Sequence, residues 1–212
     1  MLLEGMKDGN LMAQVIQNAI TQKQLQNLRD FYNNKQVDAY TPNYSNNKNL
    51  EYHIEEDLSY CIFNPVFTEL LGEHDFDTGA FKESLHPYAI HTDSRRKHQA
   101  LDIMLFGEYE KHNLAIICPF DTSEHLKTLV FKHQDDLNPE ELDNYNHINL
   151  IENKLDIADY QHCDPIVTQL EVDLEYTWNA GDLLIFQRDQ WHCSNYFETH
   201  TKTKNFLIFF IA

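Results

Sequence analysis

The spacing of apolar positions changes character near residue 85. Upstream the period is helical: Leu11, Met12, Val15, Ile16 and Ala19 recur three and four residues apart, and Leu25, Leu28 and Tyr32 continue a stripe. Residues 10–34 therefore read as helix. Thr21 followed by Gln24 matches a capping box, whose side chains satisfy the open amides of a helix start, and it splits the region into two helices. The Asn-rich stretch from Asn33 to Asn49 has no period and reads as a long surface loop. Asn64-Pro65 predicts the start of a short helix that Gly72 stops: an acceptor cap, a proline in the first turn and a glycine past the end.

Downstream the pattern turns to strands. Leu85 to His91 is an extended, aromatic-bearing run, Ser94 to Glu110 a mixed crossing, and Leu114 to Phe120 a near-continuous apolar strand. Asp121 to Leu126 is expected to turn that strand back onto Thr128 to His133 as its partner. Asn138-Pro139 opens an inserted helix and loop that reaches the region of Asp164. Val167 to Trp178, Leu183 to Phe186 and Phe206 to Ile211 follow, with Asn179-Ala180-Gly181-Asp182 as a turn. Short strands without alternating helices predict a mainly β chain with flanking helices (α+β). The expected architecture is a double-stranded β-helix, a cupin-like jelly roll, with N-terminal helices packed outside. One domain is expected over 1–212, residues 1–84 forming a helical N-terminal support and 85–212 the jelly-roll core.

Charge and cysteine usage narrow the partners. A formal charge of −18 leaves no general basic face for duplex nucleic acid or an anionic membrane, so neither is expected as a partner. Cys61, Cys118, Cys163 and Cys193 form no CxxC pair, and no apolar run has the length of a leader or a membrane span. These features predict a cytoplasmic protein with free thiols.

Candidate chemistry starts in the stretch from Gly181 to Ala212. There a short strand delivers His192, and Lys202 and Lys204 precede the last apolar run. A non-haem iron oxygenase site needs two imidazoles and one carboxylate on one face of the metal, with the other positions open. A His-x-Asp at a strand end supplies two of the three, because side chains two apart on an extended chain point the same way. With 12 His and 34 acidic residues, chance supplies about two His-x-acid triplets, so the motif alone decides little. The chain has four: His53-Ile54-Glu55, His91-Thr92-Asp93, His133-Gln134-Asp135 and His162-Cys163-Asp164. His53 precedes the strand-rich region, and His162 sits in polar loop. His133 ends a good strand but leaves too little β sequence before His192 to build a wall. His91 and Asp93 follow Tyr88-Ala89-Ile90, with four strand candidates between them and His192. The predicted triad is His91, Asp93 and His192.

With those residues in place, the chain from Leu85 onward resembles the Fe(II)/2-oxoglutarate-dependent dioxygenase superfamily, in its phytanoyl-CoA and prolyl-hydroxylase-like branches and small phage or bacterial members. The matching segments are Tyr88-Ala89-Ile90-His91-Thr92-Asp93, Leu114 to Phe120, Thr128 to Phe131, Gly181 to Phe186, Trp191-His192 and the basic residue before the last strand. Residues 1–84 carry no part of the resemblance. It implies Fe(II) held by His91, Asp93 and His192 as the catalytic centre, with 2-oxoglutarate and O2 as co-substrates, ascorbate as a supporting reductant, and release of succinate and CO2. It also implies that a cation beyond the distal histidine holds the far carboxylate of 2-oxoglutarate. Lys204 stands in that register and Lys202 is the second candidate. A lysine lacks the planar fork of arginine, so nearby Ser, Thr or Tyr hydroxyls are expected to help it.

Other residues have two readings each. Arg95 and Arg96, with Lys97, form either a basic rim that draws an anionic substrate or a solvated loop. Trp191 either packs the barrel mouth or contacts substrate. Cys193 is expected in the core, since neighbours on a strand face opposite ways. The pairs His162-Cys163 and His192-Cys193 lack finger-like zinc spacing. The substrate, a small molecule or a protein, is left open. Two other functions compete: a cupin-like metal-binding or isomerase protein that does not use 2-oxoglutarate, and a structural jelly roll without metal.

Overall fold

A computed structural model describes residues 12–34, 50–53, 56–72, 80–88, 90, 114–132, 157–160, 162–163, 170–188 and 190–211. These are mostly β. Nine strands are described: β1 (Gln14–Ile16), β2 (Leu50–His53), β3 (Ala80–Ser84), β4 (Leu114–Pro119), β5 (Lys127–Phe131), β6 (Val172–Thr177), β7 (Leu183–Gln187), β8 (His192–Ser194) and β9 (Lys204–Ile211). Two α-helices, α1 (Gln22–Asn34) and α2 (Glu56–Leu71), and a 3-10 turn at Ile157–Tyr160 accompany them. The larger sheet has the order β1-β7-β4-β9-β3-β2 and the smaller β6-β5-β8, every pairing antiparallel. Among the described residues no helix is long and apolar enough to cross a membrane.

The near-continuous apolar strands are explained by burial on both faces. In β4, β7 and β9, Ile116, Cys118, Leu183, Ile185, Leu207, Phe209 and Ile211 pack with Leu25 and Leu28 of α1 and Ile62, Phe63 and Phe67 of α2. Phe63 lies 4.3 Å from Phe209, centroid to centroid. The alternate residues Ala115, Ile117, Leu184, Phe186, Phe206 and Ile208 join Val130 and Tyr176 of the smaller sheet. One face of the large sheet thus meets helices and the other meets the second sheet, so period-two polarity is absent. A third cluster, Leu129, Phe131, Tyr160, Leu170 and Cys193, covers the far face of the small sheet.

Several expectations are corrected. Residues 1–84 are not a purely helical support, since they supply β1, β2 and β3 to the large sheet. Residues 14–16 form a strand, not a helix. Val15 packs in the cluster between the sheets and Ile16 in the cluster under the helices, so the apolar run is split across two faces, and pairing with β7 satisfies its backbone. The capping box holds: the Thr21 amide donates to Gln24 Oε1 at 2.9 Å, and the Gln24 amide to Thr21 Oγ1 at 3.3 Å. α2 begins well before Asn64 and carries Pro65 inside it, while Gly72, at φ 78°, ends it as expected. The strand expected from Leu85 lies earlier, at Ala80–Ser84. β5 does not pair with β4, whose two edges are taken by β7 and β9. The Asp121–Leu126 turn instead carries the chain across to the other sheet.

The Gly181-Asp182 turn is a structural clamp. Gly181 has φ 91°, and a Cβ there would collide with the carbonyl of Ile20, whose amide bonds the Gly181 carbonyl at 2.9 Å. Asp182 is buried and accepts from the Asn18 amide at 2.8 Å, Asn179 Nδ2 at 2.9 Å and the Tyr176 hydroxyl at 3.1 Å. The segment after β1 and the end of β6 are thereby tied to the strand that leads to His192.

Candidate active site

His192 opens β8, the short edge strand of the smaller sheet. Its register opposite β5 places Val130 against His192 and Thr128 against Ser194. Two-residue alternation puts His192, Ser194 and Thr128 on the face that looks at the larger sheet. His192 is 4% exposed, with its ring 4.7 Å from that of Phe186. Nδ1 lies 3.1 Å from the carbonyl of Gln190, an arrangement that puts a proton on Nδ1 and the lone pair on Nε2. Gln190 is itself fixed: its Nε2 donates to the Phe131 carbonyl at 2.9 Å and to Asp173 Oδ2 at 3.1 Å, and its Oε1 accepts from the Gln187 amide at 2.9 Å. Metal-ligating histidines are commonly oriented through such a carbonyl.

Lys204 faces the same space from the first position of β9. It is 3% exposed, whereas Lys202 is in solvent. The Lys204 ammonium donates to Ser194 Oγ at 2.8 Å and Thr128 Oγ1 at 3.3 Å, and sits 4.1 Å from the centroid of Trp178. Trp178 Nε1 donates in turn to Thr128 Oγ1 at 2.8 Å. Among the described residues no carboxylate lies within ion-pair distance of Lys204. Burial holds its pKa down to about 7, with the opposing pull of Cys193 too small to restore it. A pocket between the sheets is lined by His192, Lys204, Thr128, Ser194, Lys82 and Tyr88, with Ile117, Phe206 and Ile208 supplying apolar wall.

His91, Asp93, Arg95 and Arg96 lie outside the described residues, as do His133 and Asp135. Among the described residues, no three His, Cys, Asp or Glu side chains converge as a metal site. Trp191 does not line the pocket. It packs with the outer cluster of Leu129 and Phe131, because it precedes His192 and so faces the opposite side of the sheet, in line with the packing reading of this residue. His162 sits in a turn against the Tyr88 carbonyl at 3.3 Å and Cys163 Sγ at 3.5 Å. Thr128, Ser194 and Trp178 had no individual signal in the sequence. Ser194 alone could have been reached, as the residue two beyond His192 on the same strand face.

Solved structures with this fold cover nearly all of the chain. A prolyl-4-hydroxylase from Pseudomonas putida is 10% identical, with a TM-score of 0.55 over 94% of this chain and 91% of that one. An oxidoreductase of the 2OG-Fe(II) oxygenase family from Burkholderia pseudomallei is 8% identical, with a TM-score of 0.56 over 94% and 85%. HygX from Streptomyces hygroscopicus, solved with nickel and 2-oxoglutarate bound, is 10% identical, with a TM-score of 0.53 over 96% and 84%. No protein-family model and no curated protein matches the sequence. The chain has the fold of the 2-oxoglutarate- and Fe(II)-dependent oxygenases.

Proposed function

We propose that this chain is an Fe(II)- and 2-oxoglutarate-dependent dioxygenase, its catalytic domain a double-stranded β-helix spanning 1–212. The observation that carries the reading is Lys204: a buried ammonium, held by two hydroxyls and an aromatic face, lining the pocket that His192 also lines. An ammonium so held, by hydroxyls and an aromatic face at the wall of a pocket, is suited to receive the far carboxylate of a dicarboxylate co-substrate. A cupin-like metal protein without 2-oxoglutarate has no use for it.

His192, with His91 and Asp93, would hold the metal. On the His192 side the arrangement suits a ligand, since the Gln190 carbonyl sets the lone pair on Nε2 and the imidazole lines the pocket. Tyr88, three residues before His91, is tied to β8, its carbonyl accepting from the Ser194 amide at 3.1 Å. Three residues of chain span at most about 10 Å, so this bond favours a meeting of His91 with His192. When bound, Fe(II) with O2 couples decarboxylation of 2-oxoglutarate to succinate and CO2 with oxidation of a substrate C–H bond.

The rest is work for the protein. Lys204, Ser194 and Thr128 bind the far carboxylate, and Trp178 orients Thr128 while covering the ammonium. Ile117, Phe206 and Ile208 exclude water, so charge interactions in the pocket act in a low dielectric. Arg95 and Arg96 are assigned to a basic rim that receives an anionic substrate, small molecule or protein.

The test is succinate release from 2-oxoglutarate with Fe(II), O2 and ascorbate in the absence of substrate. Turnover is expected in the native chain and loss of it in His192→Ala and Asp93→Ala. Absence of metal-dependent turnover, together with no 2-oxoglutarate binding in the presence of Ni(II), overturns the reading. Candidate substrates are then ranked by the extra succinate they elicit.

A further inference from the structure

Past the pocket, the face between the two sheets continues to another cation. On β9, Lys204, Phe206 and Ile208 line the pocket, and Phe210 is the next residue on that face. Phe210 and Phe186 both stand opposite Ala115 of β4, so the three form one row across β9, β4 and β7. Phe186 is the residue whose ring lies 4.7 Å from that of His192. The guanidinium of Arg188, just past the end of β7, sits 4.1 Å from the centroid of Phe210. Since β4 separates β7 from β9, this side chain crosses β4 and joins the row that meets the imidazole.

The turn that carries Arg188 is the one that orients His192. The Gln187 amide donates to Gln190 Oε1 at 2.9 Å, and the Gln190 amide donates to the Gln187 carbonyl at 3.0 Å. The Gln190 carbonyl then meets His192 Nδ1 at 3.1 Å. One closed turn therefore sets the imidazole and the base of the arginine together. Arg188 and Phe210 are both half-buried. A guanidinium stacked on a ring still directs its N–H groups outward in its own plane, the geometry that takes a carboxylate or phosphate by two parallel bonds.

We propose that Arg188 is a specificity-determining residue, binding an oxyanion of the oxidised substrate, a carboxylate or a phosphate. The inference rests on the function proposed above, in which Lys204 takes the co-substrate. The two cations serve different acids because they stand apart: Lys204 to Phe210 is about 20 Å of strand. Lys204 lies on the Ser194 side of His192, and Arg188 on the row of Phe186 and Phe210. Both acids can then be seated at once without sharing a counter-charge. An anion held at Arg188 fixes one end of the substrate, which limits the C–H bonds that can be presented beside His192. A neutral analogue of the same shape loses that hold.

The experiment labels full-length protein, loaded with Ni(II) and 2-oxoglutarate, with the arginine reagent phenylglyoxal, and maps the modified peptides by mass. Benzoate, phenyl phosphate and neutral benzamide are the probes, with Lys204 already occupied by the co-substrate. Arg188 is expected to react without a probe, to be protected by benzoate or phenyl phosphate, and to be left reactive by benzamide. The better protector identifies the oxyanion. An Arg188 that does not react, that reacts alike with every probe, or that benzamide protects as well overturns the proposal. Calorimetry on the better probe is expected to show binding weakened about 10–100-fold in Arg188→Gln, with part of it restored in Arg188→Lys. Equal binding by the native chain and Arg188→Gln, or none restored by Arg188→Lys when both variants melt as the native chain does, overturns it too. Loss of the oxygenase reading looks different: 2-oxoglutarate fails to bind with Ni(II), while an oxyanion still protects Arg188 and the anion site stands.

Discussion

The ammonium of Lys204 donates to the hydroxyl of Ser194 at 2.8 Å, and this bond joins the two sheets at the pocket. Ser194 belongs to the strand that carries His192, and Lys204 to the strand that crosses from β3 to β4. A displacement of one sheet against the other would therefore be felt at the cation and at the imidazole together.

Lys204→Met separates binding from stability. The substitution keeps the apolar stem and removes a buried charge that has no described carboxylate partner, so the melting temperature is expected to stay or rise. Binding of 2-oxoglutarate is expected to weaken by about 3 kcal/mol, roughly a hundredfold, because a buried anion then lacks its counter-charge. Thermal melts and calorimetry on the same preparation check both.

The same lysine sets a pH dependence. Its folded pKa, about 7, lies below the value of 10.5 expected in the unfolded chain. Between those values the unfolded chain holds a proton that the folded chain has released. Stability therefore rises with pH across that window, by at most about 1.4 kcal/mol per unit, and the full penalty applies below it. Urea midpoints measured through the window should show this slope in the native chain and lose it in Lys204→Met. A dianionic co-substrate favours the charged lysine, so its binding above pH about 7 takes up a proton, and affinity falls by up to about tenfold per pH unit. Calorimetry in buffers of different ionisation enthalpy counts that proton.

Gln190→Ala tests the support of His192. The amide ties the Gln187 amide, the Phe131 carbonyl and Asp173 into one turn. Its loss is expected to cost about 1–3 kcal/mol in stability. The Gln190 carbonyl that meets His192 is backbone and remains, so a smaller, indirect fall in metal affinity, less than about tenfold, is expected from the loosened turn. Denaturant titration and Ni(II) titration read the two effects independently.

Gly181→Ala tests the clamp behind the site. A side chain at φ 91° is strained, and its Cβ would strike the Ile20 carbonyl. A loss of about 1–3 kcal/mol is expected from the backbone conformation alone. A lower urea midpoint with an unchanged slope would match it.

What was legible in the sequence was local chemistry. The capping box at Thr21 and Gln24, the helix stop at Gly72, the turn at Gly181 and the apolar cores of β4, β7 and β9 each depend on neighbouring residues, and each was read correctly. A resemblance of register singled out Lys204 over Lys202; in the structure Lys204 is buried and Lys202 exposed. Where a choice depended on partners distant in the chain, sequence spacing did not decide it. Residues 14–16 carry a spacing that suits a helix, yet the open edge of β7 draws them into a strand. β5 is a good strand next to a good strand, yet both edges of β4 are already occupied.

By itself, then, the order of residues determined a mainly β chain, the strand that leads to His192 and the cation at the start of β9. Only the tertiary structure selected Thr128 and Ser194 as that cation's partners and laid Trp178 beside it. The reason is physical. Alternation along a strand says which residues share a face, but which other face they meet depends on sheet pairing between segments that no local period connects.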